Sequence, residues 1–214
     1  MKNSLADMRR EYLSEPMNKS DLNKNPFQQF EKWMDAAVQA EVPDANAMTL
    51  ATVNTENKPQ ARTVLLKEVN DLGFVFFTNY LSAKGAEIEH QPAVSLLFFW
   101  KELARQVRID GICEKISEEE SASYFQSRPR ESQLGAWASP QSQLIANRPV
   151  LESRMEDLMK LYGTDKPIPK PPHWGGYLVK PDHFEFWQGR PSRLHDRITY
   201  TWDAGSWRME RLAP

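Results

Sequence analysis

The stretch Ala93-Val94-Ser95-Leu96-Leu97-Phe98-Phe99-Trp100 is the longest apolar run in the chain, and it has the length of a β-strand. Apolar side chains fall on both of its alternating faces, which is typical of a strand that is covered on both sides. This stretch therefore predicts a central strand of a sheet. The segment that follows it, residues 105–116, also has the composition of a strand.

Outward from these two segments, the sequence predicts mainly β-structure. Seven further strands are predicted over residues 48–53, 60–69, 73–78, 176–179, 183–187, 198–202 and 207–211. Five helices are predicted over residues 26–40, 83–91, 118–127, 138–147 and 149–163. Strands far outweigh the strand–helix alternation that a parallel sheet requires. We therefore predict an antiparallel barrel with flanking helices, one domain over residues 26–214 that follows a mobile arm over residues 1–25.

Composition and charge exclude several classes of protein. The chain has 214 residues, of which 40% are apolar and 26% charged, and this is ordinary for a soluble globular protein. Its net charge of −2 provides no overall attraction to nucleic acid or to an anionic membrane. Cys113 is the only cysteine, so a disulfide within the chain is impossible. With no apolar signal core and no run of about 18 apolar residues, a cytoplasmic location is expected.

The segment Arg193-Leu194-His195-Asp196-Arg197 is the first candidate site. In an extended strand, Arg193, His195 and Arg197 would share one face. Three cationic or cationisable groups on one face, just after the aromatic run Phe184-Glu185-Phe186-Trp187, indicate a site for an anionic ligand that contains a ring. The alternative is an exposed edge strand that its charges keep soluble.

Two further segments combine cations with hydroxyl groups. In Arg62-Thr63-Val64-Leu65-Leu66-Lys67 a basic residue marks each end of a strand, which could equally be a half-buried strand with snorkelling ends. Tyr124 and Arg128 share one helix face, and Arg130 and Ser132 follow. Guanidinium and hydroxyl donors suit a phosphate, although a solvated helix end would show the same pattern.

Several common catalytic motifs are missing from the sequence. There is no G-x-G-x-x-G, Walker A or G-x-S-x-G motif, and the four histidines lack metal-ligand spacing, so no metal site is expected. The candidate residues are rich in cations and hydroxyls and poor in nucleophiles. That balance favours a protein in which a cofactor supplies the difficult chemistry.

Six segments in this order resemble the pyridoxamine 5′-phosphate oxidase family of flavin enzymes. They span nearly the whole chain: residues 62–67, Tyr124-Phe125-Gln126-Ser127-Arg128-Pro129-Arg130, Ser132-Gln133-Leu134-Gly135-Ala136-Trp137, Phe184-Glu185-Phe186-Trp187-Gln188-Gly189, residues 193–197 and Arg211-Leu212-Ala213-Pro214. The resemblance implies a split β-barrel homodimer with FMN at the subunit interface.

The resemblance also implies the roles of individual residues. Those expected to contact FMN are Arg62, Thr63, Val64, Leu65, Leu66, Lys67, Phe77, Thr78, Lys84, Gln106, Gln141, Ser142, Trp187 and Arg197. Those expected to hold the substrate are Arg9, Arg10, Tyr12, Lys67, Tyr124, Arg128, Ser132, Arg193 and His195, of which the last two are the expected catalytic residues. Ala83 stands where the family usually has a basic residue, which removes one phosphate contact worth roughly 1.5–3 kcal/mol.

The implied reaction is the oxidation of pyridoxamine and pyridoxine 5′-phosphates by O2 to pyridoxal 5′-phosphate. Two alternatives remain open at this point. One is a flavin-binding split barrel that acts as a reductase or a flavin carrier, and it would leave the cluster of Tyr124, Arg128 and Ser132 without a use. The other is a dimeric interaction protein that binds no cofactor.

Overall fold

The computed structural model describes residues 4–5, 11–12 and 14–214. Within these residues there are nine strands: β1 (Ala47–Val53), β2 (Pro59–Leu65), β3 (Glu68–Asn70), β4 (Gly73–Asn79), β5 (Ala93–Trp100), β6 (Arg105–Lys115), β7 (Trp174–Gln188), β8 (Asp196–Asp203) and β9 (Ser206–Leu212). The α-helices of the same residues are α1 (Pro26–Gln39), α2 (Ala83–His90), α3 (Glu118–Ser127), α4 (Arg130–Ala138) and α5 (Pro149–Tyr162). None of these helices is long and apolar enough to cross a membrane.

The strands are hydrogen-bonded in the order β2-β1-β5-β6-β7-β4-β3, and β8 pairs with both β7 and β9. The pairs β3–β4, β4–β7, β7–β8 and β8–β9 are antiparallel. Strand β5 lies inside this order, so the prediction of a central strand is confirmed. Its two faces nevertheless differ, since Phe98 is fully buried whereas Phe99 is 53% exposed.

The described residues form two compact units, and the first consists of those up to Leu50 together with Ser95–Gly111 and Pro181–Pro214. Helix α1 begins at Pro26 because Asn25 accepts a hydrogen bond from the backbone of Phe27 and because proline suits the first turn. The helix buries Phe30 and Trp33. Aromatic rings fill the core of this unit, and they meet edge to face in the pairs Phe30–Phe98 and Trp33–Phe186.

The second unit consists of Ala51–Val94 and Ile112–Lys180. Its helix α3 begins with a capping box, in which Ser117 and Glu120 bond each other's backbone. Phe125, Leu134, Ile168 and Trp174 form a buried cluster in this unit. Strand β4 pairs with β7 through Thr78 and Gly175, which places the end of β4 beside that cluster.

Three predicted elements differ from the structure. The strand expected over residues 60–69 is broken between β2 and β3, where Leu66 is buried and the Lys67 amide donates to the Val75 carbonyl. The strands expected over residues 176–179 and 183–187 are parts of the continuous strand β7. The helix expected over residues 138–147 is wrong: α4 ends at Ala138, Pro140 disfavours helix at the residue before it, and residues 141–147 are exposed with no apolar face to bury.

Candidate functional site

A cavity of about 750 Å³ in the second unit brings together most of the predicted binding residues of that unit. Four cationic side chains and several hydroxyl groups line it, and no carboxylate is among the described residues on its wall. The lining consists of Arg62, Thr63, Val64, Leu65, Lys67, Phe77, Thr78, Lys84, Tyr124, Ser127, Arg128, Pro129, Ser132, Gln141 and Trp174.

Three parts of the second unit supply these side chains. Strand β2 carries Arg62 at a half-buried position of its alternating pattern, and the end of β4 carries Phe77 and Thr78. The junction between α3 and α4 supplies Arg128, because Pro129 disfavours helix at the residue before it and so separates the two helices. Ser132 then lies in the first turn of α4.

Arg62 is held by a buried acid that the sequence analysis did not identify. Its Nη2 lies 2.6 Å from Oε2 of Glu87, and its Nη1 donates to Oγ1 of Thr52. The Thr52 hydroxyl in turn donates to the same Glu87 oxygen at 2.5 Å. Glu87 follows Lys84 by three residues on α2, and that helical spacing was the available signal.

Lys84 lies in the first turn of α2, after the cap in which Ser82 accepts from the Gly85 amide. Burial lowers the pKa of Lys84, and the nearby charge of Arg62 lowers it further. Two cations therefore interact at one end of the cavity, where an anion would relieve both the desolvation and the mutual repulsion. Ala83, one residue earlier, adds no charge there.

Arg128 lines the cavity and has one buried donor nitrogen. Its Nη1 is inaccessible to solvent and has no hydrogen-bond partner among the described residues. Its guanidinium lies 4.6 Å from the ring centre of Trp174, and burial lowers its pKa. The Phe77 ring lies nearly parallel to those of Tyr124 and Trp174, with ring centres 3.8 Å and 5.4 Å away, so one wall is flat and aromatic.

The remaining predicted residues of the second unit differ in position. Thr78 donates to Gln141 across the cavity at 3.2 Å. Leu66 is buried and does not line the cavity, and Ser142 is exposed in a left-handed backbone conformation. Trp174 and Ser127 line the cavity although the sequence analysis did not name them as site residues; Trp174 precedes the strand predicted over residues 176–179.

In the first unit, three predicted residues form an aromatic group. The Trp187 ring lies 5.6 Å from Tyr12 and 4.7 Å from His195, measured between ring centres. Nδ1 of His195 accepts a hydrogen bond from the Arg190 amide at 3.0 Å, so Nε2 carries the proton of the neutral ring. Burial, and then the charge of Arg193, lowers the pKa of His195. Arg9 and Arg10 lie outside the described residues.

The prediction that Arg193, His195 and Arg197 share one strand face is wrong. Strand β8 begins only at Asp196, and Arg193 ends a short 3-10 helix that starts at Pro191. Ser192 and Arg193 both have positive φ, which interrupts the alternation of a strand. Arg211 and the Met17 amide bond the Asp196 carboxylate, which anchors the start of β8.

Arg197, on β8, is bound by the buried acid Glu185. Its Nε and Nη2 lie 2.7 Å and 3.1 Å from the two carboxylate oxygens, and its Nη1 donates to the Ala213 carbonyl. Burial alone would raise the pKa of Glu185, but the bonds from Arg197 and Arg108 outweigh it and leave that pKa lowered. Gln106, the remaining predicted residue of this unit, is half-buried on β6.

The chemistry of these residues is that of anion binding beside flat rings. No group of three or more His, Cys, Asp or Glu side chains is arranged for a metal in the part of the chain that the structure describes. The one thiol, Cys113, is buried, and burial raises its pKa, so it offers no nucleophile at neutral pH.

Comparisons with known proteins agree with this arrangement. Residues 34–161 match the family model described as pyridoxamine 5′-phosphate oxidase, and residues 174–214 match that of the pyridoxine 5′-phosphate oxidase C-terminal dimerisation region. A pyridoxine/pyridoxamine 5′-phosphate oxidase of Acaryochloris marina is 52% identical over 211 residues, covering 99% of this chain and 96% of the relative. One of Burkholderia thailandensis is 53% identical over 214 residues, covering 99% of each chain.

Solved structures confirm the predicted split-barrel fold class. PhzG from Burkholderia lata 383, in complex with tetrahydrophenazine-1-carboxylic acid, has a TM-score of 0.88 and 28% identity, over 94% of this chain and 99% of that one. A pyridoxamine 5′-phosphate oxidase-related, FMN binding protein from Nostoc punctiforme has a TM-score of 0.71 and 19% identity, over 90% of this chain and 100% of that one. With relatives above 50% identity over nearly its whole length, the chain belongs to the pyridoxamine 5′-phosphate oxidase family.

Proposed function

We propose that this chain is an FMN-dependent oxidase of pyridoxamine and pyridoxine 5′-phosphates. The products are pyridoxal 5′-phosphate and H2O2, with NH3 released from the amine. The observation that carries the proposal is one cavity that combines two groups of cationic donors with a flat aromatic wall. A flavin phosphate and a substrate phosphate each need such a group of donors, and the substrate ring needs a flat site.

The residues present fit the flavin phosphate. Arg62 and Lys84 would hold it, because they lie close enough for the charge of one to lower the pKa of the other. Residues 63–65, Phe77, Thr78 and Gln141 would surround the rest of the cofactor along the same wall. A bound FMN would supply the redox chemistry, acceptance of a hydride equivalent from the C4′ carbon of the substrate and reoxidation by O2.

The residues present also fit a second phosphate. Arg128 has a buried N–H without a partner among the described residues, and leaving such a donor unsatisfied costs about 1–3 kcal/mol. Arg128 also lines the cavity, where a substrate phosphate would accept from its guanidinium. Ser132, Tyr124 and Lys67 line the same cavity and would supply further donors.

Arg193 and His195 would orient the substrate ring and its C4′ substituent. At neutral pH the lowered pKa of His195 keeps its ring neutral, with the proton on Nε2 available for donation. We further propose a homodimer, since the C-terminal residues match a dimerisation region and the proposed FMN residues are scattered along the chain.

A visible spectrum of the purified full-length protein tests the proposal. We expect a flavin band with one FMN per chain, bleaching of that band when pyridoxamine 5′-phosphate is added without O2, and its return with H2O2 when air is admitted. A flavin band that persists would favour the carrier or reductase alternative. Protein that stays colourless with added FMN would favour the interaction protein.

A further inference from the structure

We propose that Glu87 is a positioning residue that holds the Arg62 guanidinium in the orientation in which it would meet the flavin phosphate. This inference rests on the proposed function, and it adds a residue that the family motifs quoted above do not contain. Glu87 lies near the middle of α2 and is 8% exposed.

Glu87, Thr52 and Arg62 form a closed triangle of hydrogen bonds. Arg62 donates from Nη2 to Glu87 and from Nη1 to the hydroxyl of Thr52, and that hydroxyl donates to Glu87. The three residues come from α2, β1 and β2. The two terminal nitrogens of the guanidinium thus bond side chains from two separate elements, which determines the plane of the guanidinium group.

Arg62 lines the cavity, whereas Glu87 and Thr52 do not. A phosphate in the cavity would therefore meet the guanidinium and not the carboxylate. The carboxylate acts through Arg62, which is the geometry of a supporting residue and not of a ligand-binding one.

Preorganisation is the physical reason for such a residue. A free arginine side chain has several rotatable bonds, and ordering it on binding has an entropic cost that reduces affinity. The triangle orders Arg62 before the phosphate arrives. In addition, Glu87 follows Lys84 by three residues on the same helix, so its charge offsets the repulsion between Lys84 and Arg62.

The test compares FMN with riboflavin, which lacks the phosphate. Each flavin is titrated into flavin-free full-length protein, and binding is followed by quenching of the flavin fluorescence. We expect Glu87→Ala to lower the affinity for FMN about ten-fold, equivalent to 1.4 kcal/mol, and to leave the affinity for riboflavin unchanged. Glu87→Gln keeps an acceptor oxygen for Arg62 and should restore most of the FMN affinity.

Glu89→Ala is the matched control, because Glu89 lies on the same helix with the same charge but is exposed. It should leave both affinities at the parental value. If Glu87→Ala does not fold, Glu87→Asp replaces it: this variant keeps the charge but shortens the reach to Arg62, so FMN affinity should again fall.

Three results would overturn the inference. Glu87→Ala or Glu87→Asp binding FMN as tightly as the parent would show that the carboxylate does not position Arg62. An equal loss of riboflavin affinity would show that Glu87 only supports the fold. An equal effect of Glu89→Ala would show a general charge effect. By contrast, a parent protein that binds FMN no better than riboflavin would refute the proposed phosphate site itself.

Discussion

Replacing Arg128 with alanine should weaken binding of the phosphorylated substrate and leave the flavin bound. The guanidinium of Arg128 has a buried N–H that lacks a partner among the described residues, and it lies over the Trp174 ring at 4.6 Å. A lost hydrogen bond to a charged group costs about 1.5–3 kcal/mol. That loss corresponds to a rise of roughly 10- to 150-fold in KM for pyridoxamine 5′-phosphate.

The assay is steady-state kinetics with two substrates, pyridoxamine 5′-phosphate and pyridoxamine, with flavin content measured on each protein. Arg128→Ala should reduce the preference for the phosphorylated substrate and leave kcat/KM for pyridoxamine near the parental value. Arg130→Ala is the control, because the Arg130 guanidinium donates to the carbonyls of Tyr162 and Gly163 at 2.8–3.1 Å and does not line the cavity.

Two outcomes would refute this reasoning. Loss of FMN from Arg128→Ala would mean that Arg128 serves the flavin phosphate and that the two groups of donors have been interchanged. An unchanged substrate preference with FMN still bound would mean that Arg128 does not bind the substrate phosphate.

Four further predictions concern the assembly and the first unit. The protein should be a yellow homodimer, and a monomeric mass in solution with full FMN occupancy would contradict this. Arg193→Leu and His195→Asn should each lower kcat/KM with flavin retained, Arg193→Leu by on the order of a hundred-fold. Parental kcat/KM in both variants would show that residues 193–197 are only a charged surface segment. In the parent, the lowered pKa of His195 should leave kcat/KM level around pH 7, with any loss from its protonation only at lower pH. Glu185→Gln should reduce the free energy of unfolding at pH 7. Because the pKa of Glu185 is lowered in the folded protein, its carboxylate stabilises the folded state at pH values above the unfolded-state pKa. Chemical denaturation should show the difference between variant and parent vanishing as the pH falls through the folded-state pKa.

Much of the fold could be predicted from local pattern. Helices α1 and α3 match the helices predicted over residues 26–40 and 118–127, because the proline that begins α1 and the capping box of α3 are encoded within a few neighbouring residues. The wrong helix over residues 138–147 shows the limit. That segment lacks an apolar face with a partner, and packing, not propensity, supplies most of the stability of a short helix.

The candidate site divides in the same way. Arg62, Lys84 and Arg128 were identified because their chemical types and motifs are visible in the sequence, and the structure brings all three to one cavity. The prediction that Arg193 lies on a strand face was wrong because Ser192 and Arg193 adopt positive φ, which a pattern of charges does not reveal.

By itself, the sequence determined the family, the strand-rich fold class and the chemical nature of the candidate binding residues, since these follow from residue type, spacing and order. Only the tertiary structure decided which groups meet. The pairing of Glu87 with Arg62 joins residues 25 positions apart, and that of Glu185 with Arg197 depends on the register between β7 and β8. Such contacts arise from the packing of separate elements, and burial then determines which charges are compensated, because a buried charge is stable only beside a partner.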